Sequence, residues 1–288
     1  MFPYVVAGIA ILLFTYNPIL HYFSPEPSRL PRTARPRINE SLLAIDAANQ
    51  TAPDCPPDSY SIHILSKAPI VIYIENFLSD DERSHLLETS EPLFEPSTIT
   101  HDGDSTQRDA TIRDSEVALI PRTDTVRCIE ARTRAIQGWR DDLWIERLRT
   151  QRYGANQHYA HHFDWGSGAR GWGRVSSVMA WVQAEDVEGG GTEFPLLRRE
   201  APDNPWCQWV ECPKLPESLP ESEGKFPTTD GDLVTGVSFK PIAGNAVYWE
   251  NFRPDGTGRG WDETWHAGLP VKKGMKVGLN IWSWGRLG

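Results

Sequence analysis

From Leu148 onward the chain is built of short apolar runs, each stopped by glycine, proline, asparagine or aspartate. Val178-Met-Ala-Trp-Val182, Leu233-Val-Thr-Gly-Val-Ser-Phe239, Asn245-Ala-Val-Tyr-Trp249 and Lys276-Val-Gly-Leu-Asn-Ile-Trp282 are the clearest. Runs this short, rich in β-branched and aromatic residues, read as strands rather than helices. Many such strands, punctuated by turns, predict a sandwich or barrel and not a parallel sheet with crossover helices. All 12 tryptophans fall after residue 138, which suits a stiff β core or an aromatic-lined cleft. Residues 198–230, rich in Pro and Glu, break the pattern and read as a surface loop over one end.

Helical signals precede the strands. Ser79 can cap a helix, with Glu82 at the capping-box position. A second helix is predicted from Asp124 to Trp139, with Val126, Ile129 and Ile136 on one side. A β-rich run starts near Ala68, so the folded domain is read as 67–288: mainly β, with supporting helices.

The first 66 residues have a different character. Met1–Phe23 contains no Asp, Glu, Lys or Arg, and Phe2–Leu20 is long enough to cross a hydrocarbon core. A basic leader and a small-residue cleavage site are both missing, so residues 1–23 read as an uncleaved membrane anchor rather than a signal peptide. Residues 24–66, rich in Pro and Arg, read as a stalk with a short helix around Leu42–Ala48. Orientation signals conflict. Arg29, Arg32, Arg35 and Arg37 favour a cytosolic stalk by the positive-inside rule. The sequons at Asn39 and Asn49 and an even set of cysteines (Cys55, Cys128, Cys207, Cys212) favour the lumen. The expected location is the endoplasmic reticulum membrane, single-pass, with a lumenal domain. Cys207 and Cys212, close in sequence and flanked by prolines, are candidates for a small-loop bridge. With 29 Lys+Arg against 39 Asp+Glu, no nucleic-acid partner is expected, because phosphate binding needs a basic face.

Three of the eight histidines lie in Gln157-His-Tyr-Ala-His-His-Phe-Asp164. His162 and Asp164 are two apart, so on an extended strand they point to one face. His266, far along the chain, is a third donor. Two histidines and one carboxylate make the facial set of non-heme Fe(II) oxygenases. Strand alternation turns His161 the other way, and His158 is a second rival ligand. Lys276 stands inside an apolar run, where it either snorkels to solvent or meets the carboxylate of a bound organic acid. Gly166-Ser-Gly-Ala-Arg-Gly171 fits a dinucleotide-binding pattern but opens no helix, and reads as a turn.

Tyr153-Gly-Ala-Asn156-Gln157-His-Tyr159-Ala-His-His162-Phe-Asp164 resembles the Y-x-x-G-Q-x-Y-x-x-H-x-D signature of the prolyl 4-hydroxylases, which are Fe(II)/2-oxoglutarate dioxygenases. Gly189-Gly-Gly-Thr-Glu-Phe-Pro195 is similar to their G-G-x-T-x-F-P turn. Pro241-Ile-Ala-Gly-Asn-Ala246 and His266-Ala-Gly-Leu-Pro-Val-Lys-Lys-Gly-Met-Lys276 are similar to their P-x-x-G-x-A and H-x-G-x-P-V-x-x-G-x-K. Phe77-Leu78-Ser79 and Arg113-Asp114-Ser115 also fall at family positions, and the likeness covers residues 70–288.

The resemblance implies a double-stranded β-helix (jelly roll) core. It implies Fe(II) on His162, Asp164 and His266, with 2-oxoglutarate at Lys276 and Tyr153 and substrate at Tyr159 and Trp282. O2 is the oxidant, with ascorbate as an accessory reductant. The expected substrate is proline in a peptide or protein. The alternatives are a small molecule of secondary metabolism, or an inactive binding jelly roll. The chain departs from the pattern at Asn156, where a glycine is usual, and in the 198–230 insertion.

Overall fold

The computed structural model describes residues 30, 33–36, 39–101, 105–138, 140–166, 171–200, 205–212 and 233–287. The apolar run Met1–Phe23 lies outside them, and among the described residues no helix is long and apolar enough to cross a membrane.

A hairpin of β1 (Ser61–Lys67) and β2 (Ile70–Glu75) leads to α1 (Asp80–Ser90). Two short strands follow, β3 (Arg113–Asp114) and β4 (Glu116–Leu119), and then α2 (Asp124–Ile136). The remaining chain is β5 (Leu143–Ile145), β6 (Arg149–Tyr153), β7 (His158–His162), β8 (Trp172–Gln183) and β9 (Thr192–Glu200). It ends with β10 (Leu233–Phe239), β11 (Ala246–Glu250), β12 (His266–Gly268) and β13 (Lys276–Arg286).

The larger sheet has nine strands and runs β1-β2-β11-β8-β13-β6-β4; β5 also pairs β13, and a two-residue strand, Glu95–Pro96, lies outside β4. The smaller sheet has five, in the order β10-β9-β12-β7-β3. From β6 to β13 the chain visits larger, smaller, larger, smaller, smaller, larger, smaller, larger. That winding of eight strands between two sheets is a double-stranded β-helix.

Alternation along the strands explains the layering. On β8, Val178, Ala180 and Val182 face the helices and pack with Phe77, Leu86, Val126 and Ile129. Met179 and Trp181 point the other way, into the space between the sheets, with Phe194, Phe239 and Trp249. Both faces of this stretch are therefore buried, which is why residues 178–182 are continuously apolar. Each fully buried Leu, Ile or Phe contributes about 1.5–3 kcal/mol of transfer free energy.

The α1 cap is as expected: the Glu82 backbone N–H donates to Ser79 Oγ, and the Ser79 N–H donates to the Glu82 carboxylate. The second helix stops at Ile136, three residues short of the expected end. Gln137 caps it, and Gly138 takes a φ of +78°, a region glycine enters without steric cost.

Three expectations change in the lead-in and the insertion. The expected Leu42–Ala48 helix is a single 3₁₀ turn, Glu40–Leu42, after which Leu43 bridges Glu146 and is buried. An apolar side chain that reaches the core beside β5 outweighs the helical propensity of Ala and Leu, which is high in rank but worth well under about 1 kcal/mol per residue. Residues 43–66, read as stalk, lie on the domain. Asp46 pairs with Arg122 at 2.9 Å and Arg127 at 3.2 Å. Cys55 is disulfide-bonded to Cys128 of α2, and β1 joins the large sheet. In the insertion, Arg198–Glu200 extends β9 against β10. Trp209 and Val210 then tuck into the inter-sheet core, because two large apolar groups outweigh the surrounding polarity. Cys207 and Cys212 form the small-loop bridge. Residues 201–204 and 213–232 lie outside the described residues.

Candidate metal centre

β7 and β12 lie side by side and antiparallel, with His162 directly opposite His266. Asp164 follows two residues after His162, where the strand has ended, and its carboxylate turns back between the imidazoles. Asp164 Oδ1 is 3.7 Å from His162 Nε2, and Oδ2 is 3.8 Å from His266 Nε2. One ligand atom from each of these residues lies within 4.8 Å of the others.

Backbone geometry selects which nitrogen is presented. His162 Nδ1 is 2.8 Å from the Ala160 carbonyl, and His266 Nδ1 is 2.9 Å from the Thr264 carbonyl. Each Nδ1–H is thus donated to the main chain, and each Nε2 lone pair is left for a metal, the usual arrangement of ligating histidines. Burial and the neighbouring His162 push the His266 imidazole down to about 4, so it is neutral at pH 7. For Asp164 burial works toward the neutral acid, but His162, His266 and Arg174 outweigh it and hold the carboxyl well below the usual range. Two imidazoles that present Nε2 and one carboxylate in a single cluster are the donor set of a facial-triad iron site, and they fit Fe(II).

The rival histidines point elsewhere. His161 Nε2 meets Glu193 at 2.8 Å, and His158 Nε2 meets the Thr111 carbonyl at 3.2 Å. Both side chains are more exposed than His266.

The cleft behind the triad is lined from the larger sheet by Gln151, Tyr153, Met179 and Lys276, and from the smaller by Tyr159 and Thr192. Lys276 is 1% exposed. Its Nζ donates to the Gly190 carbonyl and lies 4.9 Å from the Tyr153 ring centroid. Burial pushes it down to about 8, and among the described residues no carboxylate beside it compensates. Gly190 has φ +69°, and a Cβ there would lie 3.3 Å from Lys276 Cδ; the glycine turn lets the backbone meet the lysine. Tyr153 donates its hydroxyl to Gln151 Oε1 at 2.8 Å, and burial keeps it a phenol. Gln151 Nε2 is buried without an acceptor among the described residues. A buried ammonium and an idle amide donor face the same cleft, and an organic carboxylate fits them.

Tyr159 stacks on His162, ring centroids 3.7 Å apart, with the Arg113 guanidinium 4.7 Å over its other side. Trp282 shares Lys276's face of β13 but sits deeper along it, 4.0 Å beneath the Arg174 guanidinium. Arg174 pairs with Glu146 at 2.6 Å and 2.9 Å. Sequence reading missed Gln151 and Arg174. They lie in no motif; strand register brings Gln151 into the cleft and sets Arg174 over Trp282, just beyond the cleft lining. Asn156 takes φ +66°, a left-handed turn that asparagine tolerates best after glycine. The departure from glycine therefore leaves the turn intact.

A model of the 2OG-Fe(II) oxygenase superfamily matches residues 148–284. The chain is 26% identical over 232 residues to prolyl 4-hydroxylase 5 of Arabidopsis thaliana, covering 77% of this chain and 70% of that protein. It is 24% identical over 297 residues to prolyl 4-hydroxylase 13 of the same plant, covering 98% and 94%. Among solved structures it is similar to the 2OG complex of a viral collagen prolyl hydroxylase from Paramecium bursaria Chlorella virus-1. The TM-score there is 0.49, with 22% identity over 75% of this chain and 96% of that one. The superfamily match spans the strands that carry both histidines and Lys276, so likeness and geometry meet on the same residues, and the chain is similar there to the prolyl 4-hydroxylases and the 2OG-Fe(II) oxygenase superfamily.

Proposed function

We propose that the chain hydroxylates prolyl residues of a peptide in the endoplasmic reticulum lumen, tethered there by residues 1–23. The observation that carries the reaction is the triad with its presented Nε2 atoms, backed by a buried lysine that has no anionic partner among the described residues. His162, Asp164 and His266 hold Fe(II). Lys276 binds the distal carboxylate of 2-oxoglutarate, with the Tyr153 phenol and Gln151 amide beside it. When bound, Fe(II), 2-oxoglutarate and O2 together supply the oxidising power that exchanges a C–H hydrogen for hydroxyl, as 2-oxoglutarate loses CO2 to become succinate.

The protein's own part is placement. Thr264 and Ala160 fix the imidazole planes through their carbonyls. The Tyr159 ring, pressed between His162 and Arg113, and the Arg174–Trp282 pair form the wall on which a substrate ring rests. The apolar flank of Met179 and Trp249 keeps bulk water from the reacting side.

The prolyl substrate is supported by relatives that are named prolyl 4-hydroxylases. The lumenal location is supported by two disulfides, which persist in oxidising compartments. It is also supported by exposed Asn39 and Asn49 in the sequons.

The test is direct. Incubated with Fe(II), ascorbate and 2-oxoglutarate, the protein should add one oxygen to proline-rich peptides, read by mass spectrometry, with matching succinate. His162→Ala and His266→Ala should abolish both while thermal melts stay near wild type. Peptides left unmodified while a free small molecule is oxidised would replace this reading with the small-molecule one.

A further inference from the structure

Beyond the cleft, three tryptophans form a cluster that the proposed reaction does not use. Trp144 of β5, Trp172 of β8 and Trp284 of β13 have ring centroids 6.1, 6.0 and 5.1 Å apart. Register makes the cluster, since Trp284 stands opposite both Trp144 and Arg174. All three rings are half-buried rather than sealed in a core. The platform is also continuous with the metal centre. Trp284 lies two residues from Trp282, on the same face of β13. Arg174, over Trp282, is one of the charges that act on Asp164.

A segment of the chain itself lies on the platform. Trp172 Nε1 donates to the Thr33 carbonyl at 3.3 Å, and the Arg35 guanidinium stands 4.9 Å over the Trp144 ring. Pro36 is half-buried, and Glu40 steadies Arg35 at 2.9 Å. Indole faces, an indole N–H turned toward a main-chain carbonyl, and a ring that takes a guanidinium are what an extended proline-rich chain needs. Such a chain has few N–H donors, free carbonyls and rigid flat surfaces. The described residues seated there, Thr33-Ala-Arg-Pro36, have this chemistry, and the sequence around them, Pro31-Arg-Thr-Ala-Arg-Pro-Arg37, is of the same kind. The seated segment's contacts to the platform include a hydrogen bond to a half-buried indole and an exposed cation–π contact, both of the weak, solvent-facing kind.

We propose that the Trp144–Trp172–Trp284 platform is a docking subsite for proline- and arginine-bearing peptides beside the metal centre, and that Thr33–Pro36 occupies it as an internal competitor. The peptide entering the cleft would lay its flank here, which makes the proposal rest on the peptidyl reading above for its purpose, though not for its test.

The probe is a fluorescein-labelled octapeptide with the sequence of residues 30–37, followed by anisotropy on the full chain without iron or 2-oxoglutarate. Arg35→Ala weakens the internal competitor and should tighten the peptide roughly threefold to tenfold. On that background, Trp144→Ala and Trp172→Ala should each loosen it about tenfold or more, and either one suffices if the other fails to fold. Equal affinity in wild type and Arg35→Ala, or binding that survives both tryptophan changes, overturns the proposal. With iron and 2-oxoglutarate, Arg35→Ala should lower the KM for a proline-rich, arginine-bearing peptide and leave kcat alone. The expected binding pattern without any hydroxylation would uphold the subsite and overturn the reaction. Hydroxylation whose KM ignores Arg35, Trp144 and Trp172 would do the reverse.

Discussion

Lys276 is an ammonium buried beside a tyrosine face with a single backbone carbonyl to receive it. A dicarboxylate arriving in the cleft therefore finds a charge already stripped of water. Removing that charge in Lys276→Ala should weaken 2-oxoglutarate by about 3–5 kcal/mol, roughly a hundredfold or more in affinity. Iron binding should persist, as measured by titration of the metal. Lys276→Arg should recover part of the loss, because the guanidinium is larger and planar. The same lysine sets a pH dependence. Its pKa, pushed down to about 8, means that the free protein loses the ammonium as pH rises through 8. The anion needs the charged form, so 2-oxoglutarate affinity should be flat below pH 7 and fall above 8. Lys276→Arg should lack that fall; a wild-type affinity unchanged up to pH 10 would show that the cosubstrate sits elsewhere. The His162–Asp164 pair was legible in the sequence because its spacing of two is local, whereas His266 and Lys276, on β12 and β13, were tied to it by the family resemblance. Gln151 and Arg174 were not legible, because the place of each, Gln151 in the cleft and Arg174 over Trp282, is set by pairing with a strand distant in sequence.

At the level of elements, α1 and α2 brace the outer face of the large sheet through a buried ion pair. Arg132 of α2 donates to Glu82 of α1 at 2.8 and 3.0 Å and to the Phe77 carbonyl at 2.6 Å, and also meets Asp58. Arg132→Ala leaves the Glu82 carboxylate buried and unpaired, so urea unfolding should lose about 3–5 kcal/mol. Ser79→Ala, which removes only the cap, should lose about 1 kcal/mol. The two should differ clearly in midpoint. Glu82 thus serves both the capping box and the interhelical pair. Only the first role was readable from the chain, because it is local. Strand positions were readable wherever both faces are apolar, as in β8. The Pro205–Gln208 turn was not, because its prolines and polar neighbours masked Trp209 and Val210, whose burial depends on the space between the sheets.

For the molecule as a whole, the proposed lumenal placement is tested by glycosylation and by the state of the cysteines. Expressed with residues 1–23 intact, a lumenal domain should carry a glycan on Asn49, seen as an endoglycosidase-sensitive mass shift, and have all four cysteines oxidised. Unglycosylated protein with four reactive thiols would place it in the cytosol. A sandwich or barrel was legible from the run of short strands and the double-stranded β-helix from the family resemblance, but the true start of the domain was not, since the lead-in earns its place through contacts with α2 and β5. That hidden start decides where the chain can be cut. β1 pairs along β2 from Ser61 to Lys67, and the disulfide to Cys128 lies still earlier, at Cys55. A fragment beginning at residue 67 would bare the main-chain donors and acceptors of β2, a template for other copies to pair upon. It should elute as aggregate in gel filtration, whereas a fragment beginning at residue 39 should stay dispersed. A strand that looks like part of a tether is what keeps one molecule from adding itself to the next.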